Sequence, residues 1–412
     1  MYNNIEELYK KIQSGIEGNY SGIRAITRLG VAGGQTDKVF PPTYMEGKYA
    51  LETRLVDGKE IQTVLLDSVQ SQANRMERAL LKRFLPLSSR KGNEFGIPLL
   101  TIKFGDIVKE RGGILTVLDV PHGVADAIFR DSRLNGVDFR ESDIGKQIFS
   151  SRQSDATGLF KYCPTALIFG MWDSHSGGGV DIAKFPRIIY SEIVGFDARL
   201  GNRVSSRIDP LGIKANAGPI YEGEKSEWTL DEAEAKKNKN SEPIKYGKGR
   251  PSDIGHSNIP PQIEEGKGGV TISYALQTSV ISFAALRRLR FPDKEGRHEK
   301  DSVVQTLLAL LALYSMTLLK EEGYDLRSRC FLVPLENTHY EMIKDTLDQV
   351  EVLPINSESA YRLLNFSYEK CKEQGIEWEG QQIELVPSSK LLKLIEQSRE
   401  LSEAEVNQLL PG

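Results

Sequence analysis

The chain of 412 residues is 39% hydrophobic and 8% aromatic, an ordinary globular composition at a length that suits one elaborated domain or two of usual size. Its formal net charge of −4 at pH 7 excludes a uniformly basic nucleic-acid binder, so any such contact must come from a local basic surface with acidic residues placed elsewhere. Cys163, Cys330 and Cys371 form no C-x-x-C pair, which argues against a zinc site and for a reducing, cytoplasmic setting.

Residues 1–20 are too polar for a secretory leader and read as a short amphipathic helix. Ile23–Leu29 alternates as a strand does, and VAGGQTDKVFPPTY after it carries too much Gly and Pro for a helix. Tyr49–Leu55 and Ile61–Leu66 flank Asp57-Gly58, a hairpin signal. A helix is predicted from Asp67, which can cap it, with Gln70 three residues on as a capping box requires. Val69, Ala73, Met76, Leu80 and Phe84 form its apolar stripe, and Ser71, Asn74, Arg75, Arg78 and Lys82 lie opposite.

Further strands are predicted at Pro98–Phe104, Ile114–Leu118, Thr165–Phe169 and Arg187–Val194, and a second helix from Pro121 to Ser132. Asn216–Gly269 is polar with few apolar anchors, and reads either as a surface loop or as an arm ordered by a partner or RNA. Val303–Leu319 is nearly apolar all round but short and tightly flanked by charges. A buried core helix explains it better than a bilayer span. A strand at Cys330–Pro334 follows, and the Glu-rich tail from about Glu373 reads as helical and peripheral. There is no internal repeat. The mixture of hairpins and unevenly spaced helices predicts an α+β sandwich of the ferredoxin or RNA-recognition type.

No P-loop, H-E-x-x-H or G-x-S-x-G occurs and the histidines are isolated, so no catalytic residue, metal or cofactor is predicted. The polar stretches instead supply Arg, Lys, Ser, Asn and Gln, the set that contacts phosphate and sugar. Arg24 and Arg28 mark the first strand. Ser68, Gln70 and Ser71 stand at the start of the helix, where free N–H groups favour a phosphate. Asn74, Arg75 and Arg78 continue along its polar face, which is otherwise a solvated face or a subunit interface. Trp172, His175, Lys184 and Arg187 surround Gly177-Gly178-Gly179. An aromatic beside cations and flexible backbone suits base stacking, with Trp172 as a core residue the alternative. Arg130, Arg140, Lys146, Arg207 and Lys214 add charge, while Arg287, Arg288 and Arg290 either do the same or cap a helix end.

Taken in order, VFPPTY (39–44), LLDSVQSQANRMERAL (65–80), PHGVADAIFRDS (121–132), FRES (139–142), CPTALIFGMWDS (163–174), KFPRIIYSEIVGFDA (184–198) and SRIDPLGI (206–213) closely resemble the backbone subunit of type I-G (formerly I-U) CRISPR effector complexes, within the RAMP superfamily. The resemblance covers roughly residues 20–335, and LLDSVQSQANR and SRIDPLGI are its most specific segments. It implies a modified RNA-recognition palm in a domain of residues 1–335, with fingers in about 90–190 and a thumb in about 200–275. Residues 336–412 would be a peripheral helical extension. It further implies copies stacked head to tail on a CRISPR guide RNA, target DNA recognised through that guide, other effector subunits as partners, and no membrane. Related type III backbones cut target RNA with a thumb aspartate. Asp209 is the nearest counterpart here, so a RAMP-type ribonuclease is the alternative to a non-catalytic scaffold.

Overall fold

A computed structural model describes residues 5–18, 20–84, 96–107, 110–173, 184–223, 227–379 and 382–405. The chain divides into two compact units, Met1–Arg199 with Thr271–Ser388, and Leu200–Val270 with Ser389–Gly412. Both mix helices with antiparallel sheet, so the fold is α+β.

The first unit is built on a nine-stranded antiparallel sheet. Its strands are β1 (Gly22–Val31), β2 (Leu51–Val56), β3 (Lys59–Asp67), β4 (Ile189–Phe196), β5 (Tyr274–Ser282), β6 (Tyr324–Arg327), β7 (Cys330–Pro334), β8 (His339–Ile343) and β9 (Val350–Leu353). The order is β6-β7-β1-β5-β4-β3-β2, with β8 sharing the β7 edge of β1 and β9 beyond it. The β2–β3 turn has φ of 48° at Asp57 and 75° at Gly58. A tight hairpin needs positive φ at both central residues to match strand twist. Alternation sets the faces: Ile23, Ala25, Leu29, Ala275 and Ile281 are buried, while Arg28 points to solvent.

Four helices build the rest of this core: α1 (Ile5–Glu17), α2 (Val69–Phe84), α3 (Asp301–Glu321) and α4 (Ser357–Glu373). α3 meets α1, α2, α4 and β5. Its length and composition would suit a bilayer, yet 89% of its apolar window is buried within the fold, because packed neighbours on every side remove the need for a polar face. Arg287 donates to the carbonyls of Ile16, Gly18 and Tyr20, so this cation closes the C-terminal end of α1.

Three expectations fail here. Thr165–Phe169 belongs to a short helix, Pro164–Phe169, with Pro164 in its first turn and every residue buried; a run buried all round shows no period to tell helix from strand. Pro121–Ser132 is not one helix. Gly123 at φ 55° and Asp126 at ψ 146° interrupt it, and Asp126 caps a single turn, Ala127–Arg130. Residues 336–388 are not peripheral: they add β8, β9 and α4, and the strand Gln382–Pro387 lies inside a five-stranded sheet, parallel to Leu99–Lys103 and antiparallel to Ser132–Leu134. Acidic residues on its solvent side hid the buried Ala360, Leu363, Leu364 and Leu385.

The second unit contains the ribbon Arg203–Arg207 paired with Ile259–Glu264, the short hairpin Tyr221–Glu222 with Trp228–Thr229, and the helix Ser389–Glu405. Polar residues in Asn216–Gly269 build turns rather than merely face water. Asn238 accepts from the N–H groups of Asn240 and Glu242, and Asp253 from those of Lys248 and Arg250. Ile220, Tyr221 and Ala235 are its buried anchors.

Candidate nucleic-acid interface

Most of the cations singled out in the sequence are engaged inside the protein. β3 ends in Asp67, which is fully buried. Its carboxylate accepts from Ser71 Oγ at 2.7 Å, Gln72 Nε2 at 2.6 Å, Arg75 Nε at 2.9 Å and an Arg327 guanidinium nitrogen at 3.1 Å. Asp67 therefore does not cap α2; Ser68 does, its Oγ accepting from Ser71 N–H. Gln72 also joins Ser191 and Gln277, and Ser191 joins Ser279, tying α2 to β4 and β5 through a satisfied polar layer. The polar residues of LLDSVQSQANR are thus largely structural. A buried carboxylate engages Ser71 and Arg75, and Ser68 serves the helix end.

The same holds elsewhere. Arg24 pairs across the strands with Glu341 at 2.8 Å. Arg140 grips the buried Asp173 with two bonds of 2.7 and 2.8 Å and lies over Phe149. Arg130 pairs with Asp131, Arg290 with Asp301 and Lys82 with Glu322. Arg28 is exposed, its guanidinium 4.5 Å from the Tyr274 ring centroid. Lys146 is 3.9 Å from Glu141, and Lys214 is exposed. His175 and the three glycines after it lie outside the described residues.

Arg207 is 3.4 Å from Asp209. Asp209 itself is buried, and accepts from the N–H groups of Leu211 and Ser257, each at 2.8 Å. Burial alone would raise its pKa, but N–H donors from Leu211, Ser257 and Ile213, with Arg207 nearby, outweigh it and hold the carboxyl below its ordinary value. SRIDPLGI is a loop organised around this aspartate.

Besides Arg28 and Lys146, several polar groups of the first unit stay open to solvent along α2. Gln70, Asn74 and Arg78 are exposed at successive turns of α2. Beside them is a cleft of about 280 Å³ lined by Asn74, Glu77, His122, Trp172, Lys184 and Arg187, among others. Its wall is a two-residue ribbon, Met171–Trp172 against Lys184–Phe185. Met171 and Phe185 are buried and anchor it, leaving Trp172 63% exposed with the Lys184 ammonium 5.7 Å from its ring centroid. Arg187 reaches the Val69 carbonyl at 3.4 Å. Trp172 is therefore not a core residue. Gly170, at φ +91°, lets the ribbon approach, because a Cβ there would stand 3.0 Å from Arg187 Cγ and 3.1 Å from the Phe185 carbonyl oxygen.

Sequence reasoning passed over Glu77. Burial raises its carboxyl to about 8, with Asp119 adding to the rise and Arg187 opposing it. The signal was present: Glu77 falls four residues after Ala73 and three before Leu80, on the apolar stripe itself. No group of metal-binding side chains occurs among the described residues.

Residues 23–200 match the family described as "CRISPR-associated protein GSU0053 (Cas_GSU0053)", a span of less than half the chain. No curated protein matches. Among solved structures, Csc2 of Thermofilum pendens is aligned over 97% of this chain and 93% of its own at 12% identity, with a TM-score of 0.26, a level from which no common fold follows.

Proposed function

We propose that the chain is a guide-RNA-binding backbone subunit of a type I CRISPR effector complex, of subtype I-G, acting as a scaffold without catalysis of its own. On this reading the nine-stranded sheet with its helices is the palm and the second unit is the thumb. Copies stack head to tail in the cytoplasm along the guide and present it to target DNA. The match of residues 23–200 to a CRISPR-associated family supports the setting. The observation that carries the RNA contact is the cleft, where Trp172, Lys184 and Arg187 stand exposed while Arg24, Arg75 and Arg140 are committed to buried or part-buried carboxylates. Such contacts grip backbone and base faces, as a guide of arbitrary sequence demands. A net charge of −4 is tolerable because a few cations per copy add along a repeated assembly.

Purifying the chain from a host expressing a repeat array tests this. Co-purified RNA of uniform length is expected. Lys184→Ala with Arg187→Ala should weaken retention of every guide alike, with a salt slope shallower by roughly 0.7 per cation lost. Nucleic-acid-free protein, or a loss that depends on guide sequence, would count against the reading. A ribonuclease built on Asp209 has less support, since its carboxylate is occupied by backbone N–H donors.

A further inference from the structure

We propose that the helix Ser389–Glu405 of one copy lies in a groove in the first unit of another copy, formed by α2, the end of α3, β6 and the strands Ile114–Thr116 and Gln382–Pro387. This contact joins protein to protein without RNA, so it stands or falls apart from the reading above.

The helix has the marks of a piece made for a partner. Leu391, Leu394 and Ile395 recur at i, i+3 and i+4, one stripe of an amphipathic helix. Yet Leu394 is 63% exposed and the other two are only half-buried. No strand of its own unit lies along it among the described residues. Its charges also run against the helix dipole. Lys390 and Lys393 come first, and Glu396, Glu400, Glu403 and Glu405 follow with only Arg399 between them. A helix left to itself favours acids at its start and cations at its end. An apolar stripe in water and charges set against the dipole both gain from a second surface.

The groove supplies that surface. It encloses about 970 Å³, and two turns of a helix about 10 Å across take up roughly that volume. Lys390 to Glu396, which holds the stripe and the charges at either end of it, is about two turns long. The floor is apolar: Ala79, Leu81 and Leu319 are buried and Ile114 is half-buried. On the rim, Arg78 of α2, Asp325 of β6 and Glu384 are all exposed, and none has an ion-pair partner among the described residues. The floor takes the stripe, the two acids take Lys390 and Lys393, and Arg78 takes Glu396, as in other helix-in-groove contacts. Asp325 and Glu384 would repel a phosphate strand, so RNA is not the occupant. Helix and groove are different surfaces, so the contact is heterologous and adds copies in an open series.

Two full-length variants test it, Leu394→Cys and Lys82→Cys, since the native Cys163, Cys330 and Cys371 are all buried. The two are mixed free of RNA and treated with a short bis-maleimide. A dimer holding one of each is expected, and neither variant alone should cross-link. A chain carrying both cysteines should give a ladder of multimers. Adding Ile395→Asp to the Leu394→Cys chain, with circular dichroism to check folding, should lower the dimer yield about tenfold, because a charge replaces a buried apolar side chain. No mixed dimer, or a yield that Ile395→Asp leaves unmoved, would overturn the proposal. So would a doubly substituted chain that cross-links only within itself, which would put the helix in its own groove. Co-purification of RNA is read separately, so either proposal can fail alone.

Discussion

Asp67 and Glu77 flank the same helix and have opposite surroundings. Asp67 is ringed by Ser71, Gln72, Arg75 and Arg327, so a fully buried charge is compensated, and the helix is locked to the sheet. Glu77 borders His122, Lys184, Arg187 and Cys163 in the cleft and feels the Asp119 carboxylate, and burial raises it from the ordinary 4.5 to about 8. The folded chain therefore holds a proton that the unfolded chain releases. The contribution of Glu77 is fully present below about pH 4.5 and is lost as pH rises toward 8, by at most about 1.4 kcal/mol per pH unit and by less where water reaches the cleft. Thermal melting of Glu77→Gln should be flatter with pH across that window than melting of the unaltered chain. Equal slopes would show that Glu77 titrates normally.

Short elements carry the cleft, and they were the least legible part of the chain. Alternation and the helical stripe found β1 and α2, Asp57-Gly58 marked the β2–β3 hairpin, and the length of its apolar run marked α3. These signals missed the Met171–Trp172 and Lys184–Phe185 ribbon, two residues a side, and read Pro164–Phe169 as a strand. Such pieces have no period, and tertiary contacts decide their conformation. Gly170 is the joint between them. Gly170→Ala would force a side chain into φ +91° and against Arg187 and Phe185. The expected cost is about 1–3 kcal/mol, seen in chemical denaturation, with Arg187 displaced and RNA retention reduced. An unchanged midpoint would mean that the ribbon shifts freely.

At the scale of the molecule, the first unit has a continuous apolar core with α3 at its centre, whereas the second holds its shape largely through hairpins and side-chain-to-backbone turns. The second unit also shows apolar side chains to solvent, Ile208 at 87% and Leu211 at 79% exposure, on the loop that Asp209 organises. On the scaffold reading these belong to contacts with the guide or the next copy. Ile208→Asp with Leu211→Asp should leave thermal stability within about 0.5 kcal/mol, yet give particles of lower mass on the same guide by light scattering. Full-length particles would remove this loop from assembly. The sequence by itself determined the long elements, the core nature of α3, the α+β class and the stretches that resemble a guide-RNA backbone. These follow from local pattern, which the chain carries wherever it folds. Only the tertiary structure decided which polar residues are free. Arg75 and Arg78 look alike along a helix face, but the buried Asp67 at the end of β3 claims the first of them together with Arg327 of β6, and a meeting with a residue 260 positions away leaves no trace in local spacing.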